Sequence, residues 1–251
     1  MAHRWCLVWL TAALMALSPA HSADRLVVFA PSSMVDVMRD LEQAYEAPER
    51  DVSVSIAGTG QLARQIASGA AADIIMTADD RWMDWLVDRN DVQAKSVIAF
   101  AGNRLVVAVR RETENWADWQ SMIRSNRFAM ANPDTVPAGR YGKAALESLG
   151  LWDAARENGV FGDNVRVTLQ QLIRGEVEAA LIYESDLAAS ADIRALYTFT
   201  PEQSGPIRYL AATVGQGGES AEEWLNFLMS NTAQQILAEH GFTSHQEHPQ
   251  Q

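Results

Sequence analysis

Four short stretches of this chain combine residue types that suit the binding of an anion. They are Ala30-Pro31-Ser32-Ser33, Ala57-Gly58-Thr59-Gly60, Val136-Pro137-Ala138-Gly139 and Asp163-Asn164-Val165-Arg166. Each leads into a helix-like pattern. Small residues there expose the backbone, and Ser33 and Thr59 add hydroxyl donors. The first N–H groups of a helix have no partner inside it, and the helix dipole adds positive potential, so such junctions can receive negative charge. A plainer reading stands beside this one. Ser33 and Thr59 also suit helix capping, and spacing alone does not choose between the two. Pro137-Ala138-Gly139 taken alone is more often a turn and helix start, and Tyr183 at a strand end is more often packing.

Other chemistries lack their residues. The chain has no H-E-x-x-H, no Walker-type G-x-x-x-x-G-K, no G-x-S-x-G and no G-x-G-x-x-G. Gly58-Thr59-Gly60 is only part of a glycine-rich loop. His245 and His248 form an H-x-x-H in a polar tail, which reads as solvated rather than metal-binding. Asp79-Asp80 opens a helix, where carboxylates favour the positive end. No nucleophile stands with a general base, so the expectation is a binding protein, not an enzyme, with no catalytic residue and no cofactor.

The elements that would position these junctions alternate along the chain. Arg25–Ala30 is β-branched and apolar, and Met34, Met38, Leu41 and Tyr45 follow at helical spacing. Val52–Ile56 alternates as a strand, Gln61–Ser68 reads as a helix, Asp73–Met76 as a buried strand and Asp80–Asp88 as a helix. Arg104–Val109, Arg127–Ala131 and Glu178–Tyr183 read as strands, with helices over Arg140–Leu149 and Val167–Arg174. Ile207–Thr213 is a strand returning toward the start of the fold, before helices centred on Trp224–Met229 and Gln234–His240. This order implies an α/β protein of two lobes, each a mainly parallel sheet flanked by helices. No Pro-rich linker separates them, so the chain should cross on strands near Ala101–Arg104 and Pro206–Arg208. The expected division is residues 23–103 with 208–244 in the first lobe and 104–207 in the second. The polar end, 245–251, is expected to be disordered.

The first 22 residues read as an export signal, with Arg4 as the positive region, Cys6–Leu17 as the apolar region, and cleavage after Ala20 or Ser22. Cys6 is the only cysteine, so the mature chain would have no thiol or disulfide and no lipid-anchoring cysteine. A free periplasmic protein, monomeric, is the expectation. The formal charge is −12, which argues against nucleic acid as a partner. It does not exclude an anionic ligand, because salt screens exposed charge within ~8–10 Å and local donors then decide.

At the junction residues the sequence resembles the periplasmic molybdate-binding proteins of ABC importers, from Leu26 to about Thr243. The stretches that carry the resemblance are Val28-Phe29-Ala30, Leu62–Ile66, Ala72-Asp73, Thr77-Ala78-Asp79, Trp82-Met83-Asp84, Val136–Gly139, Asn164-Val165-Arg166, Ile182-Tyr183, Ser185-Asp186 and Gly241-Phe242-Thr243. No one of them is decisive; their order and spacing together are specific. The resemblance implies a type II periplasmic-binding fold with a hinged ligand cleft between the lobes. It implies molybdate or tungstate as ligand and a membrane permease as partner, with sulfate or another small anion as the alternative. It places side-chain hydroxyls at Ser33, Thr59 and Tyr183, and backbone N–H donors at Ala138 and Val165. Two departures stand out: Thr59 replaces the family's usual serine, and Pro31 replaces a commoner small residue, which makes Ser32 an additional candidate contact. A shell of donors alone would accept a dianion and leave the proton of monohydrogen phosphate unpaired.

Overall fold

The computed structural model describes residues 25–45, 51–113 and 118–244. The expected export signal and the expected disordered tail lie outside the described residues. The first sheet is built from β1 (Leu26–Pro31), β2 (Val52–Ala57), β3 (Ile74–Thr77) and β4 (Ile98–Asn103). One residue, Arg104, separates β4 from β5 (Leu105–Arg110), which belongs to the second sheet with β6 (Phe128–Ala131), β7 (Gly159–Gly162), β8 (Ala179–Tyr183) and β9 (Ile193–Thr198). β10 (Ile207–Thr213) then returns to the first sheet.

The two sheets repeat one plan. Their orders are β2-β1-β3-β10-β4 and β7-β6-β8-β5-β9. In each, the first three strands are parallel, and the fourth runs against both its neighbours. The central strands are apolar runs, such as LVVAVR in β5 and AALIY in β8, as expected where both faces of a sheet are covered. The edge strand β2 (VSVSIA) is half-buried, in keeping with its alternation.

Helices cover the sheets. The first lobe carries α1 (Val35–Ala44), α2 (Thr59–Ala67) and α3 (Asp80–Asp88). The second carries α4 (Trp119–Ser125), α5 (Pro137–Ser148), α6 (Trp152–Asn158) and α7 (Val165–Ile173), with the short α8 (Pro201–Ser204) before the return. α9 (Glu219–Leu228) and α10 (Asn231–Glu239) close the chain; α10 packs on α1.

Three differences from the sequence reading bear on function. Helices expected to begin at Gln61, Arg140 and Val167 begin instead at Thr59, Pro137 and Val165. That shift places Thr59, Ala138 and Val165 in first turns, where N–H groups lack intrahelical partners. The first junction does not run straight into its helix: Ser32–Met34 forms a single 3-10 turn before α1. Finally, β7 and β9 were not anticipated as strands, and β4 was anticipated only at its end, where the chain was expected to cross near Ala101–Arg104. Among the described residues, no helix is long and apolar enough to cross a membrane.

Candidate functional site

The parallel pairs bring the junctions to one level. Pro31 at the end of β1 lies beside Ala57 at the end of β2, and Ala131 at the end of β6 lies beside Gly162 at the end of β7. The segments that follow these ends all leave from the carboxyl edge of their sheet, the edge at which open α/β sheets bind ligands. Ser33 follows β1, Thr59 follows β2, Ala138 follows β6, Val165 follows β7, and Tyr183 ends β8.

These five residues line one small cavity between the lobes, with a volume of about 10 Å³. Pro31, Ser32, Gly58, Ala78, Val136 and Pro137 complete its wall. No lysine, arginine, aspartate or glutamate lines it. The volume falls below the ~300–1,000 Å³ of sites that take drug-sized molecules. It suits a small ion.

The hydroxyls are not helix caps. Neither the turn at Ser32–Met34 nor α2 has a side-chain cap, so the capping reading of Ser33 and Thr59 does not hold. The Tyr209 hydroxyl, from β10, donates to Ser33 Oγ at 2.8 Å. With that lone pair engaged from behind, the Ser33 proton is free to be donated elsewhere. Thr59 Oγ1 accepts the Ala78 N–H at 3.4 Å, which likewise leaves its proton available. The Tyr183 hydroxyl is buried without a hydrogen-bond partner. Burial pushes its pKa well above the ordinary tyrosine value, so it stays a donor.

The backbone donors come from helix starts. Asn164 caps α7 by accepting from the N–H groups of Arg166 and Val167, which leaves the preceding Val165 N–H outside the cap. α5 begins with Pro137, whose fixed φ suits the first helical position, and has no side-chain cap over Ala138. Gly139 is required there, because a Cβ would lie 2.4 Å from the Ala131 and Asn132 carbonyl oxygens.

The structure has the cleft shut: Ser33, Thr59 and Tyr183 are only 3%, 2% and 1% exposed. Contacts cross it on two sides. Trp82 Nε1 donates to the Thr135 carbonyl at 3.2 Å, and Arg140 of α5 pairs with Asp79 at the start of α3. On the other side, Arg166 reaches from α7 to the carbonyls of Ser32 and Ser33 and to Asp36. The two arginines therefore stand behind the wall, each against a carboxylate, and neither lines the cavity. Burial lowers the Arg140 pKa from its usual value.

Sequence reasoning missed Tyr209 and both cross-cleft arginines. Tyr209 and Ser33 are 176 positions apart, so no local pattern links them. Among the described residues, no group of three or more His, Cys, Asp or Glu side chains could hold a metal ion.

Residues 26–243 match the family described as bacterial extracellular solute-binding protein. The chain is 31% identical to the molybdate-binding protein ModA of Escherichia coli over 97% of this chain and 99% of that protein. Among solved structures, the periplasmic molybdate-binding protein of Azotobacter vinelandii is similar at a TM-score of 0.77 and 21% identity, over 90% of this chain and all of that one. The sulfate-binding protein SubI of Mycobacterium tuberculosis is similar at 0.72 and 17%, over 88% of this chain and 86% of that one. At such identities these structures speak for the fold alone, and the fold does not choose the ion.

Proposed function

This chain belongs to the bacterial extracellular solute-binding protein family, and from that premise we propose that it captures molybdate, or the closely similar tungstate, and delivers it to the membrane permease of an ABC importer. In this reading the anion sits in the cavity between the lobes. Ser33, Thr59 and Tyr183 donate through hydroxyls, and Ala138 and Val165 through backbone N–H groups. Export to the periplasm, removal of residues 1–22 and a monomeric state are parts of the same proposal.

The observation that carries it is the composition of that closed wall: hydroxyls and helix starts from both lobes, with no charged side chain among them. A dianion leaving water must regain its hydrogen bonds, and charge-assisted bonds to fixed N–H and O–H groups are the strong kind. A countercharge in the wall is not needed for that. Monohydrogen phosphate would need an acceptor for its own proton. The cavity has no carboxylate, and the nearby carbonyls of Ser32 and Ser33 already serve Arg166. Sulfate carries no such proton, so only its smaller size stands against it.

Calorimetric titration separates these ions. Molybdate and tungstate should bind tightly at one site per chain. Sulfate and phosphate should bind at least about a hundredfold more weakly, a gap of ~2.7 kcal/mol. Sulfate binding as tight as molybdate would overturn the ion assignment and leave a general oxyanion receptor.

A further inference from the structure

We propose that Arg166 is the positioning residue of the anion site, holding the Ser33 turn and the Tyr183 strand end in register across the closed cleft. The proposal rests on the reading of the cavity as an oxyanion site.

Arg166 is the second residue of α7, next to the Val165 donor. Its guanidinium does four things at once. Nε donates to the Ser32 carbonyl at 3.3 Å, and Nη2 to the Ser33 carbonyl at 3.1 Å. Nη1 meets Asp36 of α1 at 2.8 Å. Nε also lies 3.2 Å from Asp186 Oδ1 as an ion pair rather than a hydrogen bond, and Asp186 is fully buried. Asp186 in turn accepts the Tyr183 N–H at 3.0 Å. One side chain thus ties the backbone of the Ser33 turn, in the first lobe, to the backbone of Tyr183, in the second. A planar fork of five donors can do this; an ammonium cannot hold the same set of directions.

The charges point the same way. Asp186 is buried against the backbone of Tyr183, which lines the cavity, and Asp36 opens α1 just after the Ser33 turn. Without Arg166 both carboxylates would lose their cationic partner and add unbalanced negative charge near an incoming anion. Burial raises the Asp186 pKa, and it stands at about 6 even with the guanidinium pulling it down, so its ionised form depends on this partner. Arg166 therefore makes room for a negative ligand without touching it. Arg140, on the opposite side of the cavity, pairs with Asp79 across the cleft but bonds to neither donor segment.

The test is stopped-flow binding of molybdate to wild type, Arg166→Gln, Ser33→Ala and the double variant. If the wild type prefers sulfate, sulfate is the probe. Arg166→Gln should weaken binding by about 10- to 100-fold, the range for losing charge-assisted bonds. Most of the loss should appear as faster release, because the strut acts after the lobes meet. Ser33→Ala should cost less in the Arg166→Gln background than in wild type, since a misplaced Ser33 has less to lose. A residue that only supports the fold of the second lobe would give additive penalties. Additive penalties, or unchanged release, overturn the proposal while leaving the anion site intact. If Arg166→Gln does not fold, Asp36→Asn removes the exposed end of the strut alone. It should speed release several-fold on the same charge-pair scale, and wild-type release in that variant overturns the proposal. A wild type that binds neither molybdate nor sulfate overturns the site and this inference together.

Discussion

Gly60→Ala is expected to weaken molybdate binding by about a hundredfold, near the upper end of the ~1–3 kcal/mol usual for overpacking. Gly60 is the second residue of α2, beside the Thr59 donor. A Cβ built there would lie 2.5 Å from the Thr135 carbonyl oxygen and 2.6 Å from the Trp82 ring. Thr135 belongs to the other lobe, and its carbonyl is also the acceptor for Trp82 Nε1. Backbone cannot yield as a flexible side chain can, so the added methyl must hold the lobes apart. Alanine is otherwise the better helix residue, by ~1 kcal/mol. Part of the cost should appear on closure, against Thr135, and part as lower thermal stability of the ligand-free protein, because the Trp82 ring lies in the same lobe as Gly60. Titration and thermal unfolding of the same variant check both halves. Wild-type affinity in Gly60→Ala would mean that the anion does not require this close approach.

Tyr183→Phe is expected to change affinity and stability in opposite directions. The hydroxyl is buried, has no partner without ligand, and lines the cavity. An unpaired buried donor costs ~1–3 kcal/mol, so removing it should leave the ligand-free protein as stable or more stable. Losing a hydrogen bond to a charged ligand should weaken binding by ~1.5–3 kcal/mol. Ser33→Ala is the contrasting case: it also strips Tyr209 of its acceptor, so it should weaken binding and lower stability together. Unfolding midpoints and molybdate titrations of the two variants separate these patterns. A Tyr183→Phe protein that loses stability and keeps its affinity would make Tyr183 a packing residue.

Much of the α/β architecture is legible in the sequence, for physical reasons. Strands such as β5 and β8 are uninterrupted apolar runs, and α1, α2 and α3 repeat apolar residues at helical spacing. The parts that were not legible lack those signals. β7 is four residues, GVFG, with glycine at both ends, and β9 is a half-buried strand containing Arg194 and Tyr197. β4 ends in Gly102-Asn103, turn-type residues that mask a strand. The helix starts at Thr59-Gly60 and Pro137-Ala138-Gly139 are also poor helix formers, so periodicity alone began those helices too late.

The candidate site divides in the same way. Residue types at the junctions pointed to an anion, and the resemblance singled out Ser33, Thr59, Ala138, Val165 and Tyr183. Whether Ser33 and Thr59 serve as caps could not be read locally. It turns on Tyr209 and Ala78, which meet them only in the folded chain. The Arg166 strut joins three segments distant in sequence, and Asp36 and Asp186 carry no local mark of it.

The most direct test of the central claim is anomalous scattering from a crystal of the protein grown with molybdate, recorded at the molybdenum absorption edge. A single strong peak should lie in the cavity, within hydrogen-bonded reach of the Ser33, Thr59 and Tyr183 hydroxyls and the Ala138 and Val165 N–H groups. A peak elsewhere, or an empty cavity in protein saturated with molybdate, would contradict the account.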